Sequence, residues 1–427
     1  MTIFSKRAEL VDEIGVCVAC KHFWPVYSGA GLRFQRYSAG LCERGIRMRV
    51  FTQGLTNEER RQSGVKKGES LPKVTDGVVV HRAELPGGWR RGPTFFSRLA
   101  GYCREHRNDI EIVHFLNLHH VATPWMRRLR RLGIATVFTC SMLGDLSPHG
   151  WKRMLQRFDR RLPLNQVDQV VAGSSVMRRY LEELGVSTPI RVIPNGVDLQ
   201  KFRPIDSTAH KRRLRRELGL GQDWQVILAV GSITPRKGID ILVAAFARLS
   251  RRYQNAHLVL VGPLLGARGT ATSAFHQRLR RTIETAGLED RVIFTGIVNN
   301  VEDYMRAADL FVLASRREGM PNAPLESMAC GVPVIMTPFV GLPTEFGLAG
   351  VHYALSVFET EGLASDIEGL LKSAPDRQGL GRRARQWVER KLDLKCSVHE
   401  YAALYRELAE RSHGPNFKSN RTLSDAS

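Results

Sequence analysis

The stretch "ADLFVLASRREGMPNAPLESMACGVPVI", residues 308–335, carries the most information on fold and chemistry in this chain. Its opening apolar run, "ADLFVLAS", predicts a buried strand. A glycine and two prolines then lie between the two glutamates of the stretch, Glu318 and Glu326. One continuous helix through both glutamates is excluded, because proline inside a helix costs about 3 kcal/mol. The two carboxylates therefore belong to different local structures.

Both glutamates are predicted to lie near the carboxyl end of that strand. Glu318 falls in the loop just past the strand, and a helix is predicted to begin near Pro324 and to end at Gly331. Glu326 would then lie in the first helical turn, and helical side chains lean toward the N-terminus. We expect both acids to face one crevice. A solvated loop acid and a first-turn acid favoured by the helix dipole remain the alternative.

The rest of the chain alternates short apolar, β-rich runs with segments of helical period, which predicts parallel sheets covered by helices on both faces. With 427 residues, two domains are expected. "RVIPNGVDLQKFRP", residues 191–204, has two prolines and an Asn-Gly turn and is the predicted junction. The fold class is therefore α/β, with two doubly wound domains facing across a cleft, 1–193 and 194–393. A helix at about 394–410 is expected to pack back on the first domain, and 412–427 is expected to be a disordered tail.

The predicted elements have the following approximate bounds. Strands are expected at 14–20, 47–52, 110–116, 135–139 and 169–172, and in "WQVILAVGSI", "AHLVLVG", "RVIFTGIV" and "ADLFVLAS". Helices are expected at 31–44, 94–106, 124–131, 175–184, 238–253, 273–286 and 301–308.

Composition points to a cytoplasmic protein. No apolar run reaches about 18 residues, and charges interrupt "MTIFSKRAELVDEIG", so neither a membrane span nor a signal peptide is expected. The seven scattered cysteines do not form a disulfide framework. Cys17 and Cys20 form a CxxC pair without a second pair to complete a zinc site, and their apolar surroundings predict a buried strand rather than metal or redox chemistry.

The net charge of +21 predicts an acidic partner, and the basic excess is concentrated in the first half. "WMRRLRRLG" (125–133) and "WKRMLQRFDRRLP" (151–163) mix apolar residues with arginine at roughly helical spacing. Peripheral contact with an anionic membrane surface fits these stretches, and so do the solvated faces of core-packing helices. Nucleic acid is not expected, because no nucleic-acid-binding motif accompanies the charge.

Two further loops are candidate anion sites. In "VGSITPRKGID" (230–240) a strand ends at Gly231, and Arg236 and Lys237 stand directly before a helix, an arrangement suited to a diphosphate. In "VYSGAGLRFQ" (26–35) small residues follow the first strand, so that backbone N–H groups can approach a ligand. Solvated cations and an ordinary turn are the respective alternatives.

Together these motifs resemble a known family. The E-x7-E pair in "EGMPNAPLESMACGVPVI", with "VGSITPRKG", "VIPNGVDLQKFRP", "VIFTGIV" and "SGAG", looks like the family 4 retaining glycosyltransferases. The resemblance covers nearly the whole chain in the expected order. It implies a GT-B fold of two Rossmann-like domains and a nucleotide-sugar donor bound mainly by the second domain. It also implies no metal and no cofactor, and no Asp-x-Asp motif stands in a suitable loop.

The resemblance implies a role for each motif residue. Glu318 would lie against the donor sugar as the catalytic residue, Glu326 would bind the ribose, and Lys237 with Arg236 would bind the diphosphate. The remaining donor contacts would come from Gly319, Met320 and Asn322 at the sugar, from Gly296 in the loop 296–298 at the base, and from Gly29, Ala30 and Gly31 at the phosphates.

The sequence departs from the family pattern at two positions. Family members often have arginine where this chain has Ser232, and Arg236 is the candidate substitute. Many also have histidine where this chain has Ser141. His119 and His120, or His114 on the preceding strand, are candidates to orient the sugar or acceptor in its place, and for each of them the sequence favours the alternative of a packed or solvated histidine.

The expected reaction is transfer of a sugar from a UDP- or GDP-linked donor to a glycan or lipid-linked acceptor. The basic first domain suggests a membrane-borne acceptor, as in exopolysaccharide or lipopolysaccharide assembly. A GT-B nucleotide-sugar 2-epimerase and a non-catalytic, membrane-peripheral scaffold are the alternatives.

Overall fold

The structure is a computed structural model that describes residues 13–26, 28–66, 69–75, 77–87, 90–116, 122–140, 164–264, 271–339 and 341–413. These residues divide into two compact units. The first unit comprises the chain up to Pro194 and from Lys395 onward, and the second comprises Asn195–Leu394. This division lies one residue from the boundary predicted at 193/194.

The described residues of the first unit form an eight-stranded sheet with the order β3-β4-β2-β1-β5-β6-β7-β8. All neighbouring strands are parallel except β3 and β4. The central strands are apolar along their whole length because helices cover both faces of a parallel sheet. The strands are β1 Ile14–Cys20, β2 Ile46–Gln53, β3 Val74–Thr75, β4 Val78–Ala83, β5 Ile112–Phe115, β6 Ala135–Cys140, β7 Gln169–Ala172 and β8 Ile190–Val192.

Helices connect these strands in the alternating pattern predicted from the sequence. Serine side chains begin two of them, since Ser28 accepts a hydrogen bond from the Gly31 N–H and Ser174 accepts one from the Met177 N–H. The helices are α1 Gly29–Cys42, α2 Asn57–Gln62, α3 Arg91–Glu105, α4 Thr123–Arg131 and α5 Ser175–Glu183.

The CxxC pair lies in the core of the first unit. Cys17 and Cys20 are 0% and 2% exposed on β1, and Cys17 packs in a cluster that includes Phe51 and Phe115. Burial raises the pKa of the Cys20 thiol to about 12. The prediction of a structural role for the pair is confirmed.

The basic stretch 125–133 is a helix that packs on the same core. Met126 and Leu129 of α4 are each 1% exposed, whereas Arg127, Arg128 and Arg131 face outward. The apolar side of α4 is therefore used by the fold, as the core-packing interpretation predicts. The second basic stretch, 151–163, lies outside the described residues. Within the described part of the chain, no helix combines the length and the apolar character needed to cross a bilayer.

The second unit contains a six-stranded parallel sheet with the order β11-β10-β9-β12-β13-β14. Each strand pairs in parallel with its neighbours. The strands are β9 Gln225–Val230, β10 Ala256–Val261, β11 Val292–Gly296, β12 Leu310–Leu313, β13 Val334–Met336 and β14 Ala354–Leu355. The helices of this unit are α6 Thr208–Glu217, α7 Ile239–Ser250, α8 Ala271–Thr285, α9 Val301–Ala307, α10 Asn322–Ala329, α11 Thr360–Lys372 and α12 Ala374–Lys391.

The last helix, α13 Leu394–His413, belongs to the first unit from its second residue onward. Tyr401 and Tyr405 are fully buried on it, and Tyr401 packs edge-on against Phe34 of α1 at a ring-centroid distance of 5.3 Å. The helix extends past the predicted end at 410, so the first two residues of the predicted tail, 412 and 413, are helical. The rest of that tail, 414–427, lies outside the described residues.

The register of the second sheet brings two predicted loops together. Ile227 and Leu228 of β9 pair with Leu310 and Phe311 of β12. Because β9 and β12 are parallel neighbours, the loops that follow Val230 and Leu313 leave the sheet at the same edge.

Candidate active site

Glu318 lies in the loop between β12 and α10, where the sequence predicts it. The residue is 6% exposed, although it is an acid in a loop. A buried carboxylate requires compensating charge or hydrogen bonds. The alternative of a solvated loop acid is therefore wrong for Glu318.

The compensating charges are the two cations that the sequence assigned to a separate anion site. Arg236 and Lys237 lie on a 3-10 turn, Pro235–Lys237, after β9. Lys237 Nζ lies 2.7 Å from Glu318 Oε1, and an Arg236 guanidinium nitrogen lies 2.9 Å from the same oxygen. Acid and cations thus form one cluster at the carboxyl end of the sheet.

A serine orients the carboxylate in this cluster. The Ser315 hydroxyl donates to Glu318 Oε1 at 2.8 Å and is fully buried. The Thr337 hydroxyl, which follows β13, donates to the Ser315 carbonyl at 3.1 Å. Three neighbouring strand ends, those of β9, β12 and β13, therefore fix the position of one carboxylate.

Glycines allow the cations to approach the strand ends. Gly231 has a φ of +142°, and a Cβ there would lie 3.1 Å from Lys237 Cε. Gly238 has a φ of +63°, and a Cβ there would lie 1.7 Å from the Ala314 carbonyl oxygen. Any larger residue at either position would displace the lysine or the loop that precedes Glu318.

The two loops also contact each other through the backbone. The Arg316 N–H donates to the Arg236 carbonyl at 2.9 Å, and the Arg236 guanidinium donates to the Arg317 carbonyl at 3.0 Å. The Arg316 guanidinium contacts both oxygens of Asp240 at 2.9 and 2.7 Å. These bonds hold Glu318 and its cations in register before any ligand binds.

The cluster is charged at neutral pH. Burial alone would raise the pKa of Glu318, but Lys237 and Arg236, with hydrogen bonds from Lys237 and Ser315, outweigh burial and lower that pKa below its ordinary value. Burial lowers the pKa of Lys237 and Arg236 acts in the same direction, whereas Glu318 raises it. The lowered pKa of Glu318 favours the charged carboxylate, whereas the net lowering of the Lys237 pKa favours the neutral amine. The nitrogen–oxygen distance of 2.7 Å is typical of a charge-assisted bond and indicates that both members of the pair are ionised.

The helix after the loop begins earlier than the sequence predicted. It begins at Asn322, two residues before Pro324, and ends at Ala329, with Gly331 at a φ of +72° beyond it. Proline is tolerated at the third helical residue because the first four N–H groups have no intrahelical partner. Glu326 is therefore in the second turn and not the first, as a correction to the prediction.

Glu326 is buried, at 6% exposed, and lies four residues before Cys330, the C-cap of the same helix. Burial first, and the Glu326 carboxylate in addition, raise the pKa of the Cys330 thiol to about 12. The expectation that Glu326 faces the same crevice as Glu318 stays a prediction.

Met320 and Asn322 contact a residue that the sequence did not single out. Asn195 is 5% exposed, and its amide nitrogen donates to the Met320 carbonyl at 2.6 Å and to Asn322 Oδ1 at 2.8 Å. The sequence places Asn195 in an Asn-Gly turn at the domain junction. Nothing in that pattern indicates a contact 125 residues further along the chain.

The other predicted donor residues of the second unit lie in loops at the same sheet edge. Ser232 is half-buried between β9 and the Pro235–Lys237 turn. Gly296 ends β11 with a φ of +71°, and its carbonyl accepts a hydrogen bond from the Gly262 N–H at 2.9 Å. Ile297, which follows it, is 53% exposed. These loops are available to a ligand, and their contacts with a donor stay predictions.

In the first unit, Gly29, Ala30 and Gly31 form the first turn of α1 and not a loop. The predicted start of that helix at Gly31 was two residues too late. A Cβ on Gly31 would lie 2.8 Å from the His22 carbonyl oxygen, so that a larger residue at this position would clash with the backbone. The N–H groups of this turn remain a candidate phosphate contact.

The histidine candidates are only partly described. His114 is fully buried, with one ring nitrogen 2.6 Å from the Tyr405 hydroxyl and the other 2.6 Å from the Thr139 hydroxyl. Burial lowers its pKa well below the ordinary value. His114 is thus a neutral packed histidine. His119, His120 and Ser141 lie outside the described residues.

Two family models match this chain over most of its length. Residues 27–201 match the model for Glycosyltransferase Family 4, and residues 210–387 match the model for Glycosyl transferases group 1. The chain is 36% identical to a D-inositol 3-phosphate glycosyltransferase of Acidothermus cellulolyticus over 71% of its own length and 69% of that protein. It is 28% identical to the lipopolysaccharide core biosynthesis mannosyltransferase LpsB of Rhizobium meliloti over 68% and 78%.

Solved structures share the fold at low sequence identity. Sucrose-phosphate synthase from Thermosynechococcus elongatus is 21% identical, with a TM-score of 0.76 over 93% of this chain and 99% of that one. Anabaena HepE in complex with UDP-glucose is 18% identical, with a TM-score of 0.72 over 92% and 100%.

The two Rossmann-like α/β units and these likenesses define a glycosyltransferase with the GT-B fold. The chain belongs to glycosyltransferase family 4. The family, the fold class and the enzyme class predicted from the sequence are confirmed.

Proposed function

We propose that this enzyme transfers a sugar, with retention of the anomeric configuration, from a UDP- or GDP-linked donor to a glycan or lipid-linked acceptor in cell-surface polysaccharide assembly. The observation that carries this proposal is the buried cluster in which Glu318 contacts both Lys237 and Arg236 at the carboxyl end of the second sheet. Such sheet ends bind ligands in doubly wound folds.

The two cations are suited to a diphosphate. Lys237 presents a compact ammonium group that is 14% exposed, and Arg236 presents a guanidinium that is 33% exposed. Breaking the sugar–phosphate bond leaves negative charge on the nucleoside diphosphate. Preplaced cations in a partly buried site stabilise that charge, and the removal of one such group typically costs 10²- to 10³-fold in rate. We expect no metal to be required.

Glu318 would act through its negative charge. Its lowered pKa leaves no proton to donate at neutral pH. When the donor binds, the diphosphate shares or takes over Lys237 and Arg236, and the carboxylate is left beside the sugar. There it stabilises the positive charge that develops on the sugar carbon as the bond breaks.

The named relatives and neighbours support this choice of donor and pathway. HepE binds UDP-glucose in its solved structure, and LpsB is named for lipopolysaccharide core assembly. The name of the D-inositol 3-phosphate glycosyltransferase makes a small phosphorylated compound a second acceptor class to test. Both nucleotides and both acceptor classes therefore belong in the assay.

A panel of UDP- and GDP-sugars, scored by release of nucleoside diphosphate with and without acceptor fractions, tests the proposal. We expect one donor to be turned over, and Glu318→Gln to reduce its turnover. Glu361→Gln is the matched control, because Glu361 is 64% exposed in a surface ion pair with Arg248. If no donor is turned over, or if Glu318→Gln leaves turnover intact, the proposal is wrong.

Product analysis by NMR separates transfer from the alternative activity. A retained anomeric linkage to an acceptor supports the proposal, whereas a free nucleotide-sugar epimer would identify an epimerase.

Assays with EDTA test the expectation that the reaction needs no metal. Full inhibition by EDTA that a divalent cation reverses would contradict this expectation.

Membrane contact is proposed for the arginine face of α4. Since Met126 and Leu129 are packed in the core, α4 offers charge without an apolar face to insert. We therefore expect binding to anionic liposomes that weakens between low and physiological salt. Flotation of a variant with Arg127, Arg128 and Arg131 changed to serine tests this, with Arg212→Ser/Arg213→Ser as the control. Equal flotation of both variants would contradict it.

A further inference from the structure

We propose that Asn195 is a positioning residue that sets the geometry of the segment 320–322 toward the donor sugar. The inference rests on the proposed function, in which Met320 and Asn322 contact the sugar. Asn195 would not contact the sugar itself and would affect the reaction by holding these two residues in place.

The amide nitrogen of Asn195 bonds to that segment at two points. A carboxamide nitrogen has two N–H donors. In Asn195 this nitrogen lies 2.6 Å from the Met320 carbonyl oxygen and 2.8 Å from Asn322 Oδ1. The 2.6 Å distance is short for a neutral hydrogen bond, the 2.8 Å distance is ordinary, and the residue is 5% exposed. One buried side chain therefore fixes a backbone carbonyl and a side-chain amide together.

These two bonds act at the point where the chain changes structure. Pro321, which separates Met320 from Asn322, has extended backbone angles, with φ −69° and ψ 133°, and precedes the first residue of α10. Proline offers no N–H to fix this turn. The Asn195 amide supplies the missing restraint from outside. The Asn322 amide plane is fixed as well, because its oxygen accepts from Asn195.

Asn195 is itself held by a rigid segment. The Val197 N–H donates to the Leu392 carbonyl at 2.8 Å, and the Leu394 N–H donates to the Val197 carbonyl at 2.9 Å. Asp198 accepts hydrogen bonds from the N–H groups of Gln200 and Lys201, both at 3.0 Å. A restraint of this kind keeps reacting groups in place, and a misplacement of about 1 Å costs on the order of 10² in rate.

This role predicts an effect on the sugar that is separate from the effect on the diphosphate. Asn195 contacts the 320–322 segment, whereas Lys237 and Arg236 are held by Glu318 and by the Arg317 carbonyl. Loss of the amide would therefore disturb the sugar end of the donor and leave the diphosphate end in place. A purely structural asparagine would alter both or neither.

The test compares Asn195→Ala and Asn195→Asp with the wild-type full-length chain. For the donor found in the panel, we expect kcat/KM to fall about 10- to 100-fold in each variant, mainly through kcat. The Kd of the corresponding free nucleoside diphosphate should change less than twofold. Asn255→Ala is the matched control, since Asn255 is exposed and bonds only weakly to the Asp223 carbonyl at 3.4 Å, and should leave both values unchanged.

A double-variant cycle sharpens this test and covers poor folding of the Asn195 variants. Asn322→Ala removes one partner of Asn195 at a half-buried site. The kcat/KM of the Asn195→Ala/Asn322→Ala double variant should be at most about twofold lower than that of the less active single variant. Fully multiplicative losses would overturn the proposal, as would unchanged kcat/KM in Asn195→Asp or an equal loss in nucleotide affinity. A wild-type chain that turns over no donor would instead overturn the proposed function.

Discussion

Two carboxylates at opposite ends of the second sheet have the same kinds of partner. Asp309 directly precedes β12, and Glu318 follows it. Asp309 lies 2.7 Å from Lys211 and 2.6 Å from Arg215, and Glu318 lies 2.7 Å from Lys237 and 2.9 Å from Arg236. Each acid is thus placed between one lysine and one arginine.

The two clusters differ in where the cations place their other hydrogen bonds. Arg215 also donates to the carbonyls of Ala307, Gln222 and Trp224, and Lys211 also donates to that of Ala308. Asp309 additionally accepts the Val226 N–H at 2.8 Å. At the other end, the Arg317 carbonyl is the backbone acceptor of Arg236. Cations that the backbone satisfies stabilise the fold at Asp309, whereas the proposed function assigns anion binding to the cations at Glu318, which have fewer backbone partners.

The largest expected effect is on stability at the structural cluster. Asp309→Asn should lower the free energy of unfolding by about 3–5 kcal/mol, because it leaves two largely buried cations without their counter-charge. Urea unfolding measures the difference. Glu318→Gln should cost less, because the side chain of Arg236 is 33% exposed to solvent, whereas that of Arg215 is 6% exposed. A larger loss for Glu318→Gln than for Asp309→Asn would reverse the comparison.

The next largest effect is on catalysis at the candidate site. Lys237→Met should lower kcat/KM for the donor about 10²- to 10³-fold, because under the proposed function it removes a cation that stabilises the leaving diphosphate. Lys211→Met, the matched change at the other end, should leave kcat/KM of the folded enzyme within about twofold and lower its unfolding temperature. Steady-state kinetics beside thermal unfolding distinguish the two outcomes, and comparable kinetic losses would contradict the assignment.

A substitution of Gly231 tests whether the position of the Lys237 ammonium group matters for catalysis. Gly231→Ala should lower kcat/KM about tenfold, since the new Cβ lies 3.1 Å from Lys237 Cε and must displace the ammonium group. Gly287→Ala is the control, because Gly287 has a positive φ of 62° but no atoms within 4 Å of a new Cβ. Both changes strain the backbone, by about 1–3 kcal/mol. If both variants lose activity equally, strain and not Lys237 is responsible.

The smallest effect is the pH dependence of stability. The pKa of Glu318 is lowered in the folded protein. Its contribution is therefore fully present above about pH 4.3, the ordinary glutamate pKa, and is lost as the pH falls through the lower folded-state pKa. We expect the stability difference between wild type and Glu318→Gln to shrink on acidification in urea unfolding series. A difference independent of pH would contradict the ionised cluster.

The sequence predicts the strands and the loop that carries Glu318, but it does not predict which cations pair with this carboxylate. The spacing of apolar runs gives β1 and β7 to the residue, and the proline and glycine pattern places Glu318 in its loop, because these are local effects. The sequence shows Lys237 as a cation before a helix, but its pairing with Glu318 depends on the adjacency of β9 and β12, which local patterns do not encode. The same holds for Asn195 and the segment 320–322.

The starts of two helices are also predicted imprecisely from the sequence. The sequence placed the starts of α1 and α10 two residues late, at Gly31 and near Pro324. Pro324 is the predicted start because the missing N–H of proline costs nothing at the first helical position. Both residues are tolerated in the first turn, where backbone N–H groups have no intrahelical partner. Glu326 moved to the second turn for this reason.

The central claim is that Glu318 occupies cations that bind the donor diphosphate. It is tested most directly by calorimetric titration of wild type and Glu318→Gln with UDP and with GDP. We predict that one of the two nucleotides binds to both proteins and binds more tightly to Glu318→Gln, because the glutamine no longer competes for Lys237 and Arg236. Equal or weaker binding of that nucleotide to Glu318→Gln would contradict the claim.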